Sequence, residues 1–181
     1  PDLEMQKTVM YEIGLKQEFS RVFLVDVTGF YRDIRDWVTS QTFSTANLVP
    51  YAMYVNKDYA NVRGITLTFK KNFSDHWGFN MNYTYQIAEG SNSTPEEEFN
   101  NSRSNNEPTL FLLPMDWDKT HLLNFSFNVG GPSWGTTLLA RYGSGLPYTP
   151  QITQYSSDRG ISSAPMRNSA VRPDQFLLDL N

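Results

Sequence analysis

The sequence contains no cysteine, which excludes disulfides, thiolate metal sites and cysteine nucleophiles. Its only two histidines are His76 and His121, and neither sits in HExxH or a similar ligand spacing that would support zinc. Basic charge is not in excess: 15 Lys and Arg stand against 19 Asp and Glu, for a formal net charge of -4. Without a basic stripe, no phosphate-tracking nucleic-acid partner is expected. Long apolar runs are missing as well, and no stretch approaches the roughly 18 residues of a membrane helix.

What the 181 residues do have is twelve Phe, ten Tyr and four Trp. Many aromatics without long apolar runs imply strands with one apolar and one polar face, because alternation dilutes hydrophobicity along the chain. Residues 8–19 place Val9, Tyr11, Ile13, Leu15 and Phe19 on one face and Thr8, Glu12, Gly14, Lys16 and Glu18 on the other. Residues 77–87 repeat the period of two, with Trp77, Phe79, Met81, Tyr83, Tyr85 and Ile87 against Gly78, Asn80, Asn82, Thr84 and Gln86. A helix has a period of 3.6 and would mix these sets. The same rule sorts Phe23, Val25, Val27 and Tyr31 from Asp26, Thr28 and Arg32, and Ile65, Leu67 and Phe69 from Thr66, Thr68 and Lys70. It also sorts residues 119–129, 134–144 and 176–180, for seven strands in all.

The connections alternate in length. Short turns are expected at 20–22, 74–76 and 130–133, and long loops at 38–56, 90–116 and 146–173; structureless loops so long are uncommon inside compact soluble domains. Hairpins must keep their apolar sets on one side. Pairing Phe19 with Phe23 does so and sets Lys16 opposite Asp26; pairing Phe73 with Trp77 sets Phe69 opposite Met81. Pairing Val129 with Trp134 sets Phe125 opposite Leu138.

Strands this long, with short turns at one rim and long loops at the other, match a transmembrane β-barrel better than a soluble sandwich. Two aromatic girdles are expected at membrane interfaces, with Phe19, Phe23, Phe73, Trp77 and Trp134 near the short turns and Tyr31, Tyr85 and Tyr142 at the far end. Glu12, Lys16, Asp26, Arg32, Lys70 and Arg141 on the polar face suit a wet lumen or an internal plug. Seven strands do not close a bacterial barrel, which uses an even number. The fold expected is therefore all-β, a partial antiparallel transmembrane barrel, with residues 1–181 forming part of one barrel domain incomplete at both ends.

Particular strings carry a resemblance. Tyr11-Glu12-Ile13-Gly14-Leu15-Lys16-Gln17, Phe30-Tyr31-Arg32-Asp33-Ile34-Arg35-Asp36, Tyr59-Ala60-Asn61-Val62-Arg63-Gly64-Ile65 and Asn82-Tyr83-Thr84-Tyr85 occur in that order. Pro114-Met115-Asp116-Trp117-Asp118-Lys119-Thr120-His121 and Tyr142-Gly143-Ser144-Gly145-Leu146-Pro147-Tyr148-Thr149-Pro150 follow. The series resembles the C-terminal barrel of TonB-dependent outer-membrane receptors of the Bacteroidota-like type. The resemblance implies a barrel of about 22 strands in the outer membrane of a Gram-negative bacterium. It also implies a plug domain in the same full-length chain, the TonB complex acting on that plug, and outer-membrane lipid around the wall. The cargo would be a scarce nutrient such as a siderophore, cobalamin, glycan or peptide. No cofactor, metal or catalytic role is expected. A plugless porin-like channel and a soluble glycan-binding β-domain stay open as alternatives.

Candidate ligand contacts are the outer-loop residues Tyr51, Tyr54, Trp117, Tyr148, Tyr155, Arg159 and Arg167, by stacking and charge, since loops carry recognition on rigid scaffolds. Asp116 and Asp118 flank Trp117 but lack the evenly spaced oxygen ligands of a calcium loop. Glu96-Glu97-Glu98 reads as a solvated charge run. Without a GxSxG elbow, Ser, His and Asp do not compose a triad.

Overall fold

The computed structural model describes residues 2–47, 49–92, 94, 96, 99, 112–150 and 167–181. Seven strands form one antiparallel meander: β1 (Lys7–Phe19), β2 (Phe23–Ser44), β3 (Pro50–Ser74), β4 (Trp77–Gly90), β6 (His121–Gly131), β7 (Trp134–Gly143) and β10 (Gln175–Leu180). Among the described residues there are also three two-residue elements. β5 (Leu113–Pro114) pairs with the end of β4, while β8 (Pro147–Tyr148) and β9 (Ala170–Val171) pair with each other.

The two-residue turns explain the tight rim. Ser20 and Arg21 have φ of 52° and 55°, and Asp75 and His76 have φ of 51° and 73°; two consecutive left-handed residues match the twist of the flanking strands. The register of β1 on β2 is as the hairpin argument requires, with Phe19 opposite Phe23 and Lys16 opposite Asp26. Likewise β3 and β4 set Phe69 opposite Met81, Leu67 opposite Tyr83 and Ile65 opposite Tyr85.

Three expectations are corrected. Phe73 does not pair with Trp77: an irregularity between Lys71 and Ser74 puts Ser74 opposite Trp77. The β6–β7 turn is tighter than expected, with Gly131 opposite Trp134, so Phe125 faces Ala140 rather than Leu138. The shift is two residues, which leaves every side chain on its expected face. Finally, 38–56 is not a long loop. β2 continues to Ser44 and β3 starts at Pro50, giving strands of 22 and 25 residues. This arm carries a register shift around Trp37, where Asp36 has φ 56° and the Asn56 amide donates to the Asp36 carbonyl at 2.6 Å.

Candidate functional site

The sheet is a two-faced wall. On one face the register joins Leu15, Val27, Leu67, Tyr83, Leu123 and Tyr142 into one row across six strands. Aromatic contacts stitch this face near the short turns: Phe23 stacks on Phe69 at 6.3 Å, Phe69 meets Phe79 edge-on at 5.1 Å, and Trp77 stacks on Phe79 at 6.1 Å. The apolar band has a constant height. Phe19 and Tyr11, Phe23 and Tyr31, Trp77 and Tyr85, and Trp134 and Tyr142 are each eight residues apart on one strand. Eight residues at about 3.3 Å span roughly 26 Å of strand, or some 20 Å of height at a barrel tilt of about 40°. Ile13, Leu15 and Phe176 on this face are 83%, 70% and 68% exposed, so the chain presents a large apolar surface to its surroundings.

On the other face, the adjacent row Asp26, Thr68, Asn82, Asn124, Arg141 is polar. Glu12, Lys16, Arg32 and Lys70 share this face by register. Asp26 takes a hydrogen bond from the Thr28 hydroxyl at 3.0 Å, and the Thr68 hydroxyl donates to Asn82 at 3.0 Å.

From the Tyr31–Arg63 row onward the polarity of the sheet inverts. The formerly apolar face now carries Asp33, Asn61, Arg63 and Glu89, with ion pairs Arg35–Asp33 at 2.7 Å and Arg63–Glu89 at 3.0 Å. The formerly polar face now holds the core: Ala60, Val62, Ala88 and Met115 are buried, with Phe30, Ile34 and Trp37 packed against them. Met115 comes from the segment after β5, which folds back over this face; its amide donates to the Ala88 carbonyl at 3.0 Å. Gly90 leaves room for it, since a β-carbon would lie 2.6 Å from the Met115 sulfur and force that buried side chain to shift. Gly64 is required for the same kind of reason, because a β-carbon would run into the Tyr85 carbonyl and the Phe30 ring. Asp118 closes the segment, accepting the Ala88 amide at 3.2 Å and the Thr120 hydroxyl at 3.3 Å. Burial pushes its carboxyl above the usual range, with those hydrogen bonds opposing.

A polar clasp joins the long connections. Buried Asp58 accepts the Ser91 hydroxyl at 3.0 Å and the Asn92 amide at 3.0 and 2.9 Å. Arg167 donates to the Ser91 carbonyl at 3.1 Å, and Asn168 donates to the Pro114 carbonyl and to Asp116, each at 2.6 Å. At the end of this connection the Tyr142 hydroxyl and the Gly145 amide donate to Asp174 at 2.7 and 3.1 Å, holding its carboxyl below the usual range.

Among the described residues, the five candidate ligand contacts Tyr51, Tyr54, Trp117, Tyr148 and Arg167 are not brought into one site. Tyr155 and Arg159 lie outside the described residues, as do Glu97 and Glu98. Tyr51 stacks on Phe43 at 5.9 Å in the arm, and Tyr54, at odd spacing from it, takes the opposite face. Trp117 and Tyr148 are 42% and 38% exposed on separate connections, and Arg167 belongs to the clasp. Of the interface aromatics, Phe73 falls in the irregular turn, whereas the other seven end the apolar band. Sequence reasoning missed Lys71. It lies on the apolar face opposite Phe23 and Phe79, yet is buried, donating to the Ser74 carbonyl, the Ser74 hydroxyl and the Trp77 carbonyl at 2.8, 2.9 and 2.7 Å, 4.0 Å from the Trp77 ring. Its proximity to a predicted turn was the available signal.

A family model described as TonB dependent receptor-like, beta-barrel, matches residues 1–181. The chain belongs to this family. Three solved structures are similar to this TonB-dependent receptor barrel. The ferric-catecholate import receptor Fiu of E. coli K12 superposes with a TM-score of 0.58 at 16% identity, over 97% of this chain and 20% of Fiu. The copper transporter OprC gives 0.56 at 11% identity, over 99% of this chain and 23% of OprC. The outer membrane transporter YddB of Escherichia coli gives 0.61 at 12% identity, over 99% of this chain and 25% of YddB. At these identities the likeness is one of fold, and the chain spans a quarter or less of each of those proteins. No curated protein sequence matches it.

Proposed function

We propose that the chain forms part of the wall of an outer-membrane receptor that takes up a scarce nutrient, a siderophore, cobalamin, glycan or peptide, with energy delivered through TonB. The apolar face meets lipid. Phe19, Phe23, Phe73, Trp77 and Trp134 sit at the periplasmic interface, and Tyr31, Tyr85 and Tyr142 at the outer one. The polar face, with Glu12, Lys16, Asp26, Arg32, Lys70 and Arg141, looks into the lumen toward a plug domain on which TonB acts. The long connections then lie outside the cell, with Tyr51, Tyr54, Trp117, Tyr148, Tyr155, Arg159 and Arg167 as the candidate ligand contacts.

The observation that carries this reading is the inversion of polarity at the Tyr31 row. A soluble sandwich keeps the same face apolar along a whole strand, because its core lies on one side throughout. A membrane wall is apolar outward only across the bilayer. In the full-length receptor in its native membrane, cysteines replacing Phe79 or Tyr83 should resist a water-soluble thiol reagent, while those replacing Asn80 or Asn82 should react. Equal labelling at all four positions refutes the wall. Uptake should stop when TonB is deleted; undiminished uptake without TonB would point to a passive channel instead.

A further inference from the structure

Among the concavities on the polar face, the one beside β10 is not used by the proposed uptake. It measures about 260 Å³, lies between β6, β7 and β10, and is lined by Lys119, Asn124, Arg141 and Gln175, with Leu122 and Leu177 at its sides. Asn124 pairs with Arg141 and Leu122 with Gly143 in register, so Arg141 and Gly143 share one face of β7. The Lys119 ammonium reaches the same place, 3.8 Å from where a β-carbon on Gly143 would sit. Two cations thus meet in one hollow next to two amide side chains.

Among the described residues, Lys119 and Arg141 make no ion pair and no hydrogen bond. Of the nearby carboxylates, Asp118 is held by Ala88 and Thr120 and Asp174 by Tyr142 and Gly145, while Asp179 shares the face of Arg141, one diagonal step away on β10, without forming an ion pair with it. The rest of the row across β4 and β6 is Asn80, Asn82, Asn124 and Ser126, which is uncharged.

We infer that Lys119 and Arg141 form a subsite for an oxyanion, a carboxylate or phosphate group carried by the transported solute, on the upper wall of the lumen. The inference rests on the receptor reading, which turns this face inward. A guanidinium fork accepts two oxygens at once, an ammonium adds a point charge, and the amides of Asn124 and Gln175 supply neutral donors. Arg141 adjoins Tyr142, the end of the apolar band, so an anion would meet this pair at the outer end of the lumen.

The probe is citrate, titrated calorimetrically into the purified full-length receptor in detergent at low ionic strength. Expected are saturable binding by the native protein, a loss of roughly tenfold in affinity for Lys119→Gln or Arg141→Gln, and no measurable binding for the double variant. Gly143→Val, which keeps both charges but fills the space beside Lys119, should weaken binding as well, whereas Lys7→Gln, an equal charge change in an exposed ion pair with Asp36, should not. Absence of saturable binding by the native protein overturns the inference, including the case in which a plug carboxylate already occupies the hollow; so does equal binding by the double variant. Cysteines at Phe79 and Asn82 in the same preparations separate the two failures. If both label alike, the receptor reading falls; if they label as expected and citrate does not bind, only the subsite falls.

Discussion

Met81 provides a sharp test of the wall because it lies four residues from both Trp77 and Tyr85, at the middle of the band, between Phe69 and Phe125. Four residues at about 3.3 Å, tilted by about 40°, put it some 10 Å below either interface. An arginine there should cost about 2–4 kcal/mol, or roughly 30- to 700-fold in the folding equilibrium at about 1.4 kcal/mol per decade, with its stem recovering part of that by reaching toward the headgroups. Arginine at Trp77 or Tyr85 should cost about 0–1 kcal/mol for the charge. Asn82→Arg, one residue on but facing the lumen, should be close to neutral. The assay is guanidinium unfolding of the full-length receptor in vesicles, comparing all four variants. Equal costs at Met81 and Asn82, or a cost that does not peak at Met81, would refute the assignment of faces and of the membrane midplane.

Three further outcomes are expected. The folded Asp118 carboxyl is raised above its ordinary value, so the docked 113–118 segment holds its extra proton between those two values. Its stability should fall as pH rises through that interval and stay flat above it, and Asp118→Asn should abolish the dependence, read by hydrogen exchange at the Met115 amide. Lys71→Met should loosen the β3–β4 turn by about 1–3 kcal/mol, since a charged donor to three oxygens is lost; unchanged exchange at Asp75 and His76 would show the clamp to be idle. Asn168→Gly keeps the left-handed backbone at φ 54° but removes the two bonds to Pro114 and Asp116, so amide exchange should accelerate together on the segments around Leu113 and Gly145. Acceleration on only one of them would show that the clasp does not couple the two connections.

Most of the wall was legible because alternation of apolar and polar residues is a local signal. It located the seven paired strands, their faces and the registers of β1–β2 and β3–β4. The miss at β6–β7 shows the limit of that signal: alternation fixes a register only to within two residues, and Gly131 against Trp134 obeys the same parity as Val129 against Trp134. The arm was unreadable for a different reason. Val38, Thr39, Ser40, Gln41 and Thr42 show no apolar alternation, and residues 38–56 lie past the band, where neither face has to be apolar to meet lipid. Strand persists there through backbone pairing to Pro50–Asp58. Candidate ligand residues were chosen by type and loop position, which locate a residue on the chain but not its neighbours; Arg167, picked as a ligand contact, is tied to Ser91, 76 residues away.

The docked segment and the inverted polarity are linked. In the proposed wall, the outward face past the Tyr31 row would meet water, and it takes charged side chains, so burial on that side would yield nothing. The inward face is then the one place where this part of the sheet can bury apolar area, and Phe30, Ile34, Val62 and Ala88 need a partner there. Met115 supplies it, held by the Ala88 carbonyl and admitted by Gly90. The string Pro114-Met115-Asp116-Trp117-Asp118 therefore joins two tasks: Met115 and Asp118 complete the core where the wall leaves the lipid, while Asp116 binds Asn168 and ties that core to the neighbouring connection. A ligand that displaced either long connection would have to break bonds on both, which makes the Asp58–Asn168 clasp the element through which an event on one would be felt on the other.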